Sequence, residues 1–169
     1  MLKGPSISDG SLWIVSPATI NAMYFYKDNS ITIPAGFLKM PNFDASRPHS
    51  LNYGAIGAVI GHEISHGFDD AGRNYDEAGN LRDWWSNDTL RQYKSRASCI
   101  EKQYSSQVEP MTGLHVNGKS GLGENIADNG GIHTAHEAFK ARQLVSPSPR
   151  LADLPQYSPE QLFFLSWGN

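Results

Sequence analysis

The 169 residues predict an α+β domain that is mainly α-helical and carries a short N-terminal β-hairpin or edge strands. Three observations carry this. Apolar and aromatic residues cluster on both sides of a polar turn in INAMYFYKDNSITIPAGFL, residues 20–38. Three later segments place apolar residues at helical spacing. Near the end, Ser158-Pro159-Glu160 has the serine cap and first-turn proline of a helix start.

Taken in order, residues 1–17 carry Gly, Ser, Pro and Asp and read as an irregular lead-in. Two short strands then flank a turn at Lys27-Asp28-Asn29-Ser30, and Pro34, Ala35 and Gly36 end the second. Residues 39–50 read as loop. From Asn52 to about Asp69, Ile56, Val59, Ile60 and Ile64 recur at helical spacing, with Leu51 at the start of the same buried face. Gly54, Gly57 and Gly61 lower the helix propensity of this segment, yet they allow another element to approach closely. Residues 67–79 loosen into loop. Residues 86–107 form a second helix, capped by Ser86 or Asn87, with Leu90, Tyr93, Ala97, Ile100 and Tyr104 on one face. Loop follows over 108–121, then a third helix from about Gly123 to Leu144, a proline-rich connector and the last helix. No repeat or low-complexity tract interrupts this order.

The length suits one domain or a large piece of one. A hydrophobic fraction of 39% is enough for a packed core. The net charge of −3, without a basic stripe, excludes a nucleic-acid surface. No apolar stretch reaches the length of a membrane span, and Met1–Asp9 lacks the regions of a signal peptide, so a soluble chain is expected. A membrane anchor elsewhere in a parent chain is compatible with this. Cys99, the single cysteine, reads either as a small half-buried hydrophobe or as one half of a pair whose partner lies elsewhere. Asn87-Asp88-Thr89 is a glycosylation sequon and makes Asn87 a candidate for a secreted setting.

The chemistry concentrates in GHEISHGFDD, residues 61–70. A helix brings positions i and i+4 to one face, so His62 and His66 can aim two imidazoles at one cation. Glu63 is rotated from His62 by about 100° and hangs beside the metal as a general base. Zinc needs a third protein ligand and leaves a fourth position for water. A Cys99 ligand suits another class of site, and Asp69 and Asp70 are too near His66 to wrap back easily. Glu124 in GLGENIADNGG is the attractive candidate, and Asp128 lies four residues on. One carboxylate can ligate, and the other can accept from the far nitrogen of a ligating histidine. The motif lies within an apolar helix, where unpartnered histidines are expensive to bury and a metal supplies the partner. His115, His133 and His136 read as surface, and His49 as loop.

Several longer pieces stand in a definite order: NAMY (21–24), PAGFL (34–38), SLNYGAIGAVIGHEISHGFDDAGRNYD (50–76), DWW (83–85), LGENIADNGG (122–131) and QLFFLSWGN (161–169). Together they resemble the neprilysin and endothelin-converting enzyme family of zinc metallopeptidases, of gluzincin type. The resemblance implies a thermolysin-like catalytic core that binds one Zn2+ per chain and acts as an endopeptidase. Metal-activated water would cleave oligopeptides on the amino side of apolar residues. His62, His66 and Glu124 match the metal ligands, Glu63 the catalytic glutamate, and Asp128 the aspartate that orients a zinc-bound histidine. Asn21 and Ala22 match the pair that hydrogen-bonds a bound peptide. Phe37 and Val59 match the pocket for the residue after the cleaved bond. Peptides are the implied partners, and an extracellular or cell-surface ectodomain the implied location.

Departures from the family pattern carry expectations of their own. Met23 stands where the family usually has Phe, and Asn42 where an aromatic usually borders the specificity pocket. The family continues beyond SWGN with a Trp-Cys segment, a transition-state histidine and a substrate-binding arginine, and a large helical domain precedes this region. Residues 1–169 are thus expected to be a partial catalytic domain, with the partner of Cys99 outside it. An alternative expectation is a zinc- and peptide-binding fragment with impaired catalysis. A further one is an unstable segment exposing Phe163, Phe164, Leu165 and Trp167.

Overall fold

In the computed structural model, residues 14–168 are described, so the lead-in expected over residues 1–17 lies outside the description up to residue 13. The hairpin forms as expected, but its strands are short. β1 (Met23–Phe25) pairs antiparallel with β2 (Ser30–Thr32), placing Met23 opposite Thr32 and Tyr24 opposite Ile31. The reversal falls one residue earlier than the sequence pattern suggests. Asn29 takes a φ of 44°, which asparagine tolerates better than most residues, and Ser30 then opens β2. The Tyr24 hydroxyl donates to Asn29 Oδ1 at 2.7 Å and fixes that bend.

The helix around HExxH is longer than expected and built in pieces. α1 (His49–Asn52) runs through a wider π turn at Tyr53–Gly57 into α2 (Ala58–Ser65), and a 3-10 turn at His66–Phe68 ends the run. Its buried face also differs from the expected one. Gly54, Ala58 and Gly61 are buried with Ile56, whereas Ile64 is 49% exposed. The selection is by size. α4 (Leu122–Val145) crosses α2 so closely that a Cβ on Gly61 would lie 2.6 Å from the Gly131 carbonyl oxygen. Small residues therefore fill the contact, and the branched Ile64 lies outside it.

α3 (Asn87–Ser105) begins where its cap dictates, because the Ser86 hydroxyl accepts from the Thr89 N–H at 3.1 Å. Its inner face holds buried Ala97 and half-buried Leu90, Tyr93, Ile100 and Tyr104. Cys99 points outward and is exposed, which corrects the half-buried reading; with Ala97 on the buried face, a position two residues on faces away. α5 (Pro159–Trp167) starts with a complete capping box, Ser158 and Gln161 each bonding the other's backbone N–H.

Ala58, Ala135, Phe139 and Phe163 form the core, with Tyr53 and Ile132 packed against it. Phe139 and Phe163 stack at 5.5 Å and are fully buried, so Phe163 does not belong to an exposed apolar surface. Burying each such ring contributes about 1.5–3 kcal/mol. Phe164, Leu165 and Trp167 do remain about half exposed. His136 is not a surface residue either. Its side chain is 19% exposed, its Nε2–H donates to Glu160 Oε1 at 2.7 Å, and its ring lies against Phe163 and Phe164 between α4 and α5.

Candidate metal centre

Two helices build the centre. α2 supplies His62 and Glu63, its 3-10 extension supplies His66, and the first two turns of α4 supply Glu124 and Asp128. On α4 the residues Glu124, Asp128, Gly131, Ala135 and Phe139 recur along one stripe. The stripe is carboxylate at its start and core at its end. Gly131 is the hinge between the two uses, and its contact with α2 brings the carboxylates within reach of the histidines.

The predicted ligand atoms converge. His62 Nε2 and His66 Nε2 are 2.9 Å apart, and Glu124 Oε2 lies 3.4 Å from the first and 3.7 Å from the second. A tetrahedral zinc site with bonds of about 2.0–2.1 Å has ligand-to-ligand edges of about 3.3–3.4 Å. The observed triangle averages close to that. The outer nitrogens are committed too. His62 Nδ1 lies 2.7 Å from Asp128 Oδ1, and His66 Nδ1 lies 2.7 Å from Asp69 Oδ2. If each Nδ1–H donates to its carboxylate, the neutral rings turn their Nε2 lone pairs toward each other and toward Glu124. Three acceptors facing one point need a cation, so the donor set fits zinc.

Asp69 is not among the converging ligand atoms, and its bonds give it a different part in the centre. It is 1% exposed, and its four acceptor sites are all used. Oδ1 accepts from the Ala71 N–H at 2.8 Å and the Gly72 N–H at 2.5 Å; Oδ2 accepts from His66 and, at 3.0 Å, from the Tyr26 hydroxyl. Burial alone raises the Asp69 pKa, but these bonds outweigh it and hold the carboxyl below its ordinary value. In turn the bond to Asp69 raises the pKa of His66, making it a more basic donor. The available signal was the aspartate three residues after the second histidine, where the helix ends and the chain turns back.

Glu63 is 6% exposed and points into a cavity of about 310 Å³. Burial raises its pKa, and the two histidines partly offset this. The same cavity is lined by His62, Asp128, Asn21, Phe37 and Val59, five of the residues singled out from sequence. Ala22 is buried beside Asn21 at the entry to β1 and does not line the cavity. Asn42 does line it, and its side-chain amide donates to the Phe37 carbonyl at 3.4 Å. Ser166 and Trp167 of α5 close the wall, which the sequence pattern did not assign. Asn87 opens α3 and is exposed.

Known proteins are similar to this chain in sequence and fold. Neprilysin-1 of Caenorhabditis elegans is 51% identical over 160 residues, covering 93% of this chain and 21% of its own length. Neprilysin-11 of the same organism is 49% identical over 156 residues, or 92% of this chain and 18% of its own length. The crystal structure of the Mycobacterium tuberculosis zinc metalloprotease Zmp1 in complex with inhibitor superposes with a TM-score of 0.85 at 38% identity, over 94% of this chain and 24% of that one. The chain thus spans about a fifth of the length of the curated relatives it matches. The family model described as Peptidase family M13 matches residues 21–169, which hold every residue placed above, and the chain belongs to that family.

Proposed function

We propose that these residues form the centre of a zinc-dependent endopeptidase. The observation that carries it is the convergence of His62, His66 and Glu124, with His62 and the buried Glu63 on the wall of a cavity that Asn21, Phe37 and Val59 also line. His62, His66 and Glu124 would hold zinc, which would supply Lewis acidity at the scissile carbonyl and activate water there. Asp128 and Asp69 hold His62 and His66 in the tautomer and orientation that ligation requires. Glu63, buried beside the ligands, takes a proton from the attacking water and passes it to the leaving amine. Asn21 and Ala22 hold the peptide extended. They directly precede β1, which among the described residues pairs only with β2 and so has a second edge for one more strand. Phe37 and Val59 favour an apolar residue after the cleaved bond, while Asn42 adds a polar border to the same pocket. The exposed sequon at Asn87 supports an extracellular or cell-surface setting. No helix among the described residues is long and apolar enough to cross a membrane.

A second reading is a zinc- and peptide-binding unit with impaired turnover. It is favoured by the cavity lining, which among the described residues offers the neutral amides of Asn21 and Asn42 but no Arg or Lys to meet developing negative charge. Loss of one such preorganised donor costs about 10²–10³ in rate. Hydrolysis of a quenched fluorescent peptide by the zinc-loaded chain separates the two, with Glu63→Gln as control. Turnover that the variant abolishes while keeping its zinc supports the peptidase reading. Zinc binding with no turnover above the variant supports the second.

A further inference from the structure

A hydrogen-bonded chain runs from the tip of the hairpin to the metal centre. Tyr26, the first residue after β1, donates its hydroxyl to Asp69 Oδ2 at 3.0 Å, and the same oxygen lies 2.7 Å from His66 Nδ1. The two partners are 43 residues apart in sequence, so the bond closes a long-range contact. The Tyr26 ring is held independently of that bond. It stacks on Tyr75 at 5.5 Å with planes 16° apart, and Tyr24 meets its edge at 5.4 Å. Burial, and then the Asp69 carboxylate, push the phenol above its ordinary pKa, so it stays a donor.

From this geometry we propose that Tyr26 is a positioning residue for the metal centre: its hydroxyl fixes Asp69, and Asp69 fixes His66. The physical case rests on the accounting at Asp69. The Ala71 and Gly72 N–H groups hold Oδ1, so the carboxylate could still pivot about that anchor. A second donor on Oδ2, arriving from another element, removes the pivot and fixes where the His66 Nδ1–H must point. The arrangement also ties the hairpin that carries Asn21 and Ala22 to one of the metal ligands. Strand and metal are then held in one register, which suits a site that must bind a peptide and act on it at one bond.

The inference rests on the zinc reading, and its test separates the two. Zinc affinity of the full chain is measured by competition with a chromogenic chelator. The visible spectrum of the cobalt-substituted protein reports ligand geometry, and thermal unfolding of the metal-free chain reports the fold. Tyr26→Phe keeps the ring stack and removes only the hydroxyl. Partners of ligating histidines contribute about 10–100-fold in metal affinity, and a residue one bond further out is expected at the low end, about tenfold. Tyr24→Phe is the control, because its hydroxyl donates to Asn29 in the same hairpin and not to Asp69. The expected result is weaker zinc binding and an altered cobalt spectrum in Tyr26→Phe alone, with metal-free unfolding close to wild type. Unchanged affinity and spectrum in Tyr26→Phe overturn the proposal while leaving the metal centre standing. Equal losses in Tyr24→Phe also overturn it, because they assign the effect to hairpin packing. Absence of zinc binding in the wild-type chain overturns the metal reading and this inference with it.

Discussion

Gly131→Ala tests whether helix packing sets the metal geometry. The added Cβ would stand 2.5 Å from the His62 backbone nitrogen, 2.8 Å from the Ala58 carbonyl oxygen and 2.9 Å from His62 Cα. All three are backbone atoms or belong to the backbone path of α2, so no side chain can swing aside. Reaching an ordinary contact of about 3.5 Å requires α2 and α4 to part by about 1 Å. Overpacking of this kind costs about 1–3 kcal/mol. Alanine's higher helix propensity returns about 1 kcal/mol, so the net loss of stability is about 0–2 kcal/mol. The metal centre is less forgiving, because workable sites hold ligand distances to about 0.2 Å. A 1 Å displacement of His62 from Glu124 therefore lowers zinc affinity by at least about tenfold. Gly57→Ala is the internal control. Gly57 has φ −61° and ψ −43°, and a Cβ there meets nothing closer than 3.5 Å. It is expected to stabilise the chain by about 0.4–1 kcal/mol and leave zinc binding alone. Denaturant unfolding and chelator competition on both variants are the assays. Wild-type zinc affinity in Gly131→Ala would refute the claim that this glycine contact sets the ligand triangle.

Two further outcomes follow from other contacts in the chain. The Asp69–His66 pair gives metal-free stability a maximum between two limits. The lowered Asp69 pKa adds stability that is present above the unfolded value of about 3.9 and is lost as pH falls through the folded value. The raised His66 pKa adds stability that is present below about 6.5 and is lost as pH rises through its folded value. Unfolding midpoints of the metal-free chain from pH 3 to 8 should therefore peak between these limits, and Asp69→Asn should flatten both flanks; an unaltered profile in the variant would remove the pair as their source. Ser158→Ala breaks the capping box of α5 and should cost about 1 kcal/mol, read by denaturant unfolding, because the Gln161 N–H loses its acceptor; no change would show that the cap is not limiting.

The two halves of the candidate centre were readable from sequence because each is a local geometric fact. Residues four apart share a helix face whatever the rest of the chain does, so His62 with His66 and Glu124 with Asp128 could be paired on paper. Ser86 and Ser158 marked helix starts for the same reason: a cap acts within three residues. What escaped was decided across the chain. Ile64 was expected inside on hydrophobicity and lies outside, because the neighbouring helix selects for small size. His136 was expected at the surface and is wedged between α4 and α5 beside Phe163, a neighbour 27 positions away that periodicity cannot supply. Asp69 was weighed only as a ligand, and its role depends on Tyr26 from the hairpin and on a turn at Ala71–Gly72.

The contact between α2 and α4 also explains why chemistry and stability are joined in this chain. Along α4, Glu124 and Asp128 face the histidines, Gly131 meets the backbone of α2, and Ala135 and Phe139 enter the core. Along α2, Ala58 enters that core, Gly61 meets Gly131, and His62 faces the carboxylates. Each helix thus uses one stripe for both purposes, with the glycine pair between them. Core packing fixes the distance between the helices, and that distance fixes the ligand triangle. A carboxylate 70% exposed, as Glu124 is, would otherwise be free to wander. The centre can place it because its helix is anchored two turns further on, where Gly131 lies against His62.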